Sequence, residues 1–180
     1  MTWRETLTRL RADRDRLRAL VDGEPGGDPG ALWSSPSFQC VVLHRLSQLS
    51  FVNGHRLVGR LFWHLNLLLT GADISMMSDF GPGLVVRVPA AINVFCRAGR
   101  NCTLHGTSVI GGGTSRRDDI GSGPGLPVLG DGVEVEWGAI VLGPITVGDR
   151  ARIGAGSVVS RDVPEGADIP PGARHTLRNA

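Results

Sequence analysis

Residues 128–159 decide the fold, and they read VLGDGVEVEWGAIVLGPITVGDRARIGAGSVV. An aliphatic residue recurs at every sixth position there, at Leu129, Val135, Val141, Val147, Ile153 and Val159. An α-helix has a period of about 3.6 residues and a strand a period of two, whereas a solenoid with one hexad on each flat side has a period of six. This stretch therefore predicts a parallel β-helix in which the recurring residues point inward and stack from coil to coil.

The same period extends toward the N-terminus, and one segment interrupts it. Inward positions are expected at Ile74, Phe80, Val86, Ile92, Ala98, Leu104 and Ile110, and corner residues four places on include Ala90, Cys96 and Cys102. Because three hexads make one coil, residue i is expected to lie directly beneath residue i + 18. Residues 111–128 break the period and are expected to form an extruded loop, which is where solenoids commonly bind ligands.

A helical region is expected ahead of the solenoid. Residues 2–22 carry leucines at helical spacing, and Thr2 with Glu5 forms a capping-box pattern at their start. Asn53-Gly54 marks a turn between two further helices. A linker rich in Gly and Pro is expected at residues 23–37, and the two helices are expected at residues 38–51 and 55–69.

The predicted fold class is α+β, with a helical region followed by a left-handed parallel β-helix of hexapeptide repeats. The chain is expected to divide into a helical region at residues 1–71, the β-helix at residues 72–165 and a C-terminal tail at residues 166–180. The extruded loop at residues 111–128 belongs to the β-helix.

Composition excludes several classes of function. The formal net charge is +2, which gives no electrostatic case for nucleic acid. All 19 basic residues are arginines, so a lysine Schiff base is excluded. The three cysteines have no metal-type spacing, and no metal is expected. The most apolar run, residues 61–69, is too short to span a membrane, and the charged N-terminus does not resemble a signal peptide, so a cytoplasmic protein is expected.

Several motifs resemble those of the serine O-acetyltransferase family, and they follow one another in that family's order over nearly the whole chain. They are the helical preface with Phe38 and His44-Arg45-Leu46, then LTGADI at 69–74, GPGL at 81–84, LHG at 104–106, IGG at 110–112, LGPITVGD at 142–149 and IGAGSVV at 153–159. The resemblance implies acetyl-CoA or another acyl-CoA as donor, L-serine as acceptor, and a homotrimer or dimer of trimers with sites between subunits.

The chain departs from the family pattern at the points that carry its chemistry. The family's general-base histidine belongs to an Asp-His pair, and Arg87-Val88 stands there instead. A second family histidine heads a His-Pro pair, which here reads Leu126-Pro127. The acid of the first coil is retained as Asp73. The C-terminal isoleucine that docks the family's partner sulfhydrylase is absent, so no such docking through the C-terminus is expected.

His105 and Asp73 are the catalytic candidates. The i + 18 rule places His105 directly above Arg87, about one strand spacing (~4.8 Å) from the missing pair, so His105 is either a relocated base or an exposed polar residue. Arg87 either binds a carboxylate or phosphate bidentately or is an ordinary surface arginine. Arg117 and Asp118 either line a substrate entrance or form a solvated loop tip.

The cofactor-binding candidates implied by the resemblance are Gly112, Trp137, Gly138, Ala155 and Arg174. Trp137 replaces a small residue on the edge along which the family's pantetheine arm runs. Its indole is expected either to close that groove or to stack on a flat ligand. Arg174 is expected either to meet an adenosine phosphate, together with His175 and Arg178, or to belong to a frayed tail.

Two functions remain open from the sequence. The first is a divergent acyltransferase that moves an acyl group from CoA or an acyl carrier protein to a hydroxyl or amine of a small acceptor other than L-serine. The second is a catalytically silent homologue that binds a ligand or partner.

Overall fold

The computed structural model describes residues 1–22, 34–113 and 116–176, in which three helices precede a stack of short parallel strands. The helices are α1 (Trp3–Asp22), α2 (Pro36–Val52) and α3 (Arg56–Thr70), close to the predicted ranges. Most of the predicted linker, residues 23–33, lies outside the described residues. Among the described helices, none is long and apolar enough to cross a membrane.

The helix ends follow the local sequence signals. Thr2 and Glu5 form the predicted capping box, because the Thr2 N–H donates to Glu5 Oε2 at 2.6 Å and the Glu5 N–H donates to Thr2 Oγ1 at 3.2 Å. Gly71 ends α3 in the left-handed region at φ 75°, where its N–H donates to the Leu67 carbonyl.

The strands wind into a three-sided solenoid, as predicted. They are β1 (Asp73–Ile74), β2 (Asp79–Phe80), β3 (Val85–Arg87), β4 (Asn93–Val94), β5 (Arg97–Ala98), β6 (Thr103–His105), β7 (Val109–Gly111), β8 (Val128–Leu129), β9 (Glu134–Val135), β10 (Ile140–Leu142), β11 (Thr146–Val147), β12 (Arg152–Ile153), β13 (Val158–Val159), β14 (Asp168–Ile169) and β15 (Arg174–His175). Sheet A has the order β1-β4-β7-β10-β13-β15, sheet B the order β2-β5-β8-β11, and sheet C the order β3-β6-β9-β12-β14.

The predicted register holds on sheet C and fails at one place on sheet A. Arg87 pairs with His105, as the i + 18 rule predicts. Asp73, however, pairs with Asn93 rather than with residue 91, so Val94 and not Ile92 stacks on Ile74. Compared with the regular hexads, the corner between β3 and β4 has two additional residues, and the corner after β4 has two fewer. Ile92 is buried in this longer corner, whereas Ala90, expected as an inward corner residue, is exposed.

The core is a set of aliphatic columns along the solenoid axis. On sheet C the inward column is at most 8% exposed, and it consists of Val86, Leu104, Val135, Ile153 and Ile169. The corner from sheet C to sheet A takes a left-handed residue in each coil, at Ala91, Thr107, Gly138, Gly156 and Gly172. Cys96 and Cys102 are buried in the core, as their positions predict.

A buried ion pair joins the helices to the first coil. Arg45 of α2 and Asp13 of α1 have side chains that are 0% and 1% exposed, and Arg45 Nε lies 2.9 Å from Asp13 Oδ2. The Arg45 guanidinium also donates to the carbonyls of Phe80 and Gly81 at 2.6 and 2.7 Å. Asp13 therefore fixes α1 against the solenoid close to the outer face of sheet C.

Candidate active site at one edge of the solenoid

His105 lies on the outer face of sheet C at the end of β6, directly above Arg87. Its side chain is 11% exposed, and Nε2 lies 2.9 Å from Glu134 Oε1 on the next strand. A carboxylate offers only acceptors, so this hydrogen bond requires the proton of the neutral ring on Nε2. The structure thus gives the predicted base a carboxylate partner.

The other ring nitrogen of His105 is buried and has no hydrogen-bond partner among the described residues. A buried polar atom without a partner costs about 1–3 kcal/mol. Since Nε2 carries the proton, Nδ1 holds an unshared lone pair. This lone pair is the one with which His105 could act as a general base, once a substrate gains access to the buried atom.

Trp137 packs against the same histidine at the corner from sheet C to sheet A, which we call the C–A edge. The two ring centroids lie 5.7 Å apart at an interplanar angle of 61°. The indole also covers Gly106, where a Cβ would lie 2.7 Å from the Trp137 ring. Trp137 is nevertheless 45% exposed, so it lies back along the edge and still presents a surface to the outside.

A second carboxylate, Glu136, occupies the edge above Trp137. Its Oε2 accepts the Ala155 backbone N–H at 2.9 Å, and its Oε1 pairs with Arg152. The hydrogen bond to Glu136 raises the pKa of Arg152. Ala155, predicted to bind a cofactor, therefore has its backbone donor already engaged. Gly138, another cofactor candidate, has only Thr107 Oγ1 within 4 Å of a Cβ position, at 3.6 Å.

Arg16 of α1 extends over the lower part of this face. Its guanidinium donates to the carbonyls of Gly83 and Cys102 at 2.7 and 2.8 Å, and to Thr103 Oγ1 at 2.7 Å. Burial lowers the pKa of Arg16, and the negative charge of Glu134 is among the interactions that oppose this shift. A positive charge thus accompanies the acidic side chain that binds His105.

Asp73, the other catalytic candidate, lies on a different sheet. It is part of β1 in sheet A, where its carboxylate accepts hydrogen bonds from Trp63 Nε1 at 2.8 Å and Asn93 Nδ2 at 3.0 Å. Arg174 is exposed on β15 at the opposite end of the same sheet. Five strand spacings, about 24 Å, separate the two ends. The structure does not bring Asp73, Arg174 and His105 together within the chain.

The remaining candidates surround the extruded loop. Gly112 lies at its base, where a Cβ would be 3.8 Å from both the Gly125 carbonyl and the Leu126 side chain. Asp118 Oδ2 lies 3.2 Å from Arg116 Nε in an exposed pair. A Cβ added at Gly125 would lie 3.9 Å from the Cα and Cδ atoms of Arg117, so the two residues are close in space. These residues form a group of their own, and residues 114–115 of the loop lie outside the described residues.

The described residues include neither a reactive thiol nor a cluster of three metal-binding side chains. Burial raises the pKa of Cys40 to about 12 and that of Cys102 to about 11, and it raises the pKa of Cys96 as well. Thiols in this state are core residues and not nucleophiles. No group of three metal-binding side chains occurs among the residues that the structure describes.

Three members of the site were not predicted from the sequence: Arg16, Glu134 and Glu136. The extruded loop hides the pairing, because Thr103 pairs with Glu134 across it and the simple i + 18 rule does not apply. Aligning the hexads on either side of the loop supplies the missing signal, because it pairs Glu134 with Thr103. The alignment continues to Glu136 at the level of His105, so both carboxylates are expected near the histidine. The contact from α1 has no comparable signal in the sequence.

Curated serine acetyltransferases are similar to this chain in sequence, whereas no protein-family model matches the chain. A serine acetyltransferase of Synechococcus elongatus is 34% identical over 163 residues, which cover 85% of this chain and 62% of the relative. A serine acetyltransferase of Mycobacterium tuberculosis is 32% identical over 174 residues, which cover 91% of this chain and 69% of the relative. The chain therefore spans roughly two thirds of the length of these relatives.

Solved structures have the same fold. The serine acetyltransferase of Neisseria gonorrhoeae superposes with a TM-score of 0.80 at 23% identity, covering 93% of this chain and 64% of that one. A serine acetyltransferase solved as a complex with CoA superposes with a TM-score of 0.79 at 21% identity, covering 93% of this chain and 68% of that one. At these identities the likeness concerns the fold alone.

Proposed function

The chain belongs to the serine acetyltransferase family, and we propose that it is a divergent acyltransferase that acts on an acceptor other than L-serine. The observation that carries this proposal is the His105–Glu134 hydrogen bond of 2.9 Å on the strand next to Arg87. A base of this kind replaces, one coil away, the histidine that the family pattern has at Arg87-Val88.

The reaction that suits this site is transfer of an acyl group from a thioester to a hydroxyl or amine. A hydroxyl is a poor nucleophile at neutral pH, and a positioned base contributes typically about 10²–10⁴-fold in rate. His105 supplies the base, and Arg87 on the adjacent strand is a proposed source of positive charge beside it. Arg117 and Asp118 remain proposed contributors from the extruded loop.

The C–A edge fits an extended acyl-CoA arm in its upper coils. A Cβ at Gly156 or Gly172 would have no atom within 4 Å, so the edge is open there. One coil lower, Trp137 covers Gly106. We propose that the donor runs along the upper part of this edge past Gly138 and Ala155 toward Arg174, and that Gly112 contributes to donor binding from the base of the extruded loop. An acyl carrier protein is the alternative donor.

A catalytically silent, ligand-binding homologue is the second candidate, and one observation favours it. Glu136 occupies the Ala155 N–H with a hydrogen bond of 2.9 Å, so a donor at that height has to displace a carboxylate. Together with the indole at Trp137, this contact acts against cofactor binding.

Calorimetric titration with acetyl-CoA separates the two functions. The acyltransferase is expected to bind acetyl-CoA with a micromolar dissociation constant and to release CoA thiol when a small acceptor is added. Glu165→Gln serves as a control for surface substitutions, because Glu165 lies on a corner away from the C–A edge, and this variant is expected to bind acetyl-CoA as the wild-type protein does. Absence of binding to acetyl-CoA contradicts a CoA-dependent acyltransferase and supports the silent homologue or a carrier-protein donor.

We further propose that the protein is a homotrimer. Two such trimers would associate through their N-terminal helices to form a dimer of trimers. Half-buried aliphatic side chains line the outer face of sheet A, at Val109, Ile140 and Val158, and a neighbouring subunit would cover them. The proposed absence of sulfhydrylase docking concerns residues 177–180, which lie outside the described residues.

A further inference from the structure

We propose that Glu134 is the positioning residue of a His105–Glu134 dyad, in which it holds the ring proton on Nε2 and leaves Nδ1 as the base for a hydroxyl on an apolar or flat acceptor. This inference rests on the proposed acyltransferase function and specifies its acceptor.

The hydrogen-bond chemistry of the pair fixes which nitrogen accepts the proton. Glu134 Oε1 lies 2.9 Å from Nε2 and can only accept, whereas Nδ1 is buried and has no partner among the described residues. The opposite tautomer would set two lone pairs against each other at Nε2 and bury an unpaired N–H at Nδ1. Glu134 therefore selects the tautomer as well as the orientation of the ring.

The surroundings of the dyad are apolar on the side of the C–A edge. Trp137 packs its ring on His105 and is 45% exposed, and Val88 is 53% exposed beside it. Val88 also adopts φ 52°, a left-handed conformation that is costly for a β-branched residue. Strained backbone of this kind concentrates at functional sites. Because Nδ1 is buried, we infer that an acceptor stacked on the exposed face of the indole and covering Val88 reaches the ring only after a small displacement of the side chains around it.

The reaction balances with an acyl-CoA as the only co-reactant. The acceptor hydroxyl gives its proton to Nδ1 while its oxygen attacks the thioester carbonyl carbon and forms the ester C–O bond. The C–S bond breaks, and the departing thiolate takes the proton back from Nδ1 as CoA thiol. Glu134 stays ionised throughout and stabilises the transient imidazolium.

NMR of protein labelled with ¹⁵N-histidine tests the dyad without any substrate. The two nitrogens of each ring give distinct shifts, and His105→Gln identifies the His105 signals among the five histidines. The expected result is that the neutral form of His105 carries its proton on Nε2. In Glu134→Lys, whose ammonium only donates, the proton is expected to move to Nδ1. A wild-type His105 protonated on Nδ1, or a tautomer indifferent to Glu134→Lys, would overturn the dyad.

Kinetics test the role of the dyad and the acceptor class. CoA thiol release is measured with acetyl-CoA and benzyl alcohol, a hydroxyl on a flat apolar body, and L-serine is the comparison. Glu134→Gln is expected to lower kcat at least about tenfold with the KM for acetyl-CoA unchanged, whereas Glu165→Gln leaves both unchanged. Equal kcat values for the two variants overturn the positioning role. Faster release with L-serine than with benzyl alcohol overturns the acceptor class. A wild-type protein that releases no CoA with any acceptor contradicts the proposed function itself, whatever the NMR result.

Discussion

Replacing Arg45 with methionine should destabilise the protein far more than any surface change, because the substitution leaves a carboxylate buried without its partner. The Asp13 and Arg45 side chains are 1% and 0% exposed, and two of their atom pairs lie at 2.9 and 3.1 Å. Methionine keeps much of the volume, so the cavity term is small. Breaking a buried pair from one side costs about 3–5 kcal/mol, and we expect a loss in this range.

The hydrogen bonds that remain in Arg45→Met determine which buried groups lose their partners. Asp13 keeps the backbone N–H groups of Gly83 and Leu84, each 2.7 Å from Oδ1, whereas the Gly81 carbonyl loses its Arg45 donor. Asp13→Asn in the Arg45→Met background removes the unpaired charge and retains an acceptor. We therefore expect the double variant to be more stable than Arg45→Met alone.

Urea unfolding at one fixed protein concentration measures these differences, since association contributes to apparent stability. The control is Arg150→Ala, which breaks the exposed pair with Glu165 and should cost no more than about 1 kcal/mol. A loss below about 1 kcal/mol for Arg45→Met, or strict additivity of the two substitutions, would refute the reasoning.

Four further outcomes are expected. Burial lowers the pKa of His44 from 6.5 to about 3, so below about pH 6.5 the unfolded chain binds a proton that the folded protein does not. The free energy of unfolding should therefore fall by about 1.4 kcal/mol per pH unit as the pH drops from about 6.5 toward 3. In His44→Leu the free energy of unfolding should depend less steeply on pH over this range, and an unchanged slope would contradict this prediction. Trp137→Ala should raise acetyl-CoA affinity in calorimetry by opening the lower edge, and unchanged or weaker binding would show that the indole does not close the groove. L-Serine acetylation should run far below an ordinary turnover of about 10 s⁻¹, and light scattering should show a trimer or hexamer, with a monomer at micromolar concentration as the contrary result.

The fold was predictable because a period of six leaves few architectures. The inward residues from Leu129 to Val159 follow the hexads without exception, and all are buried. The one misplaced position, Ile92, arises from compensating changes in two neighbouring corners. The period is the same on either side of them, so the sequence pattern does not reveal the shift, whereas the pairing of Asp73 with Asn93 does.

The candidate site was predictable only in part, because its members come from distant parts of the chain. The pairing of Arg87 with His105 follows from the coil length. Glu134 lies across a loop whose length no repeat dictates, and Arg16 arrives from α1, whose docking depends on the buried Asp13–Arg45 pair. The Glu134 contact therefore emerges only when the hexads on the two sides of the loop are aligned, and local periodicity carries no information on the Arg16 contact.

A solenoid allows a catalytic group to move by one coil while the scaffold stays the same, since each coil repeats the geometry of the last at about 4.8 Å. A base moved from the level of Arg87 to that of His105 is useful only when the acyl donor moves with it. At the lower level Trp137 covers Gly106, whereas at the upper levels Gly156 and Gly172 leave the edge open. The indole that obstructs the lower position and the carboxylate that holds His105 both lie on β9 or immediately after it. The proposed relocation of the base therefore requires the donor to bind one coil higher as well, and these residues serve both changes.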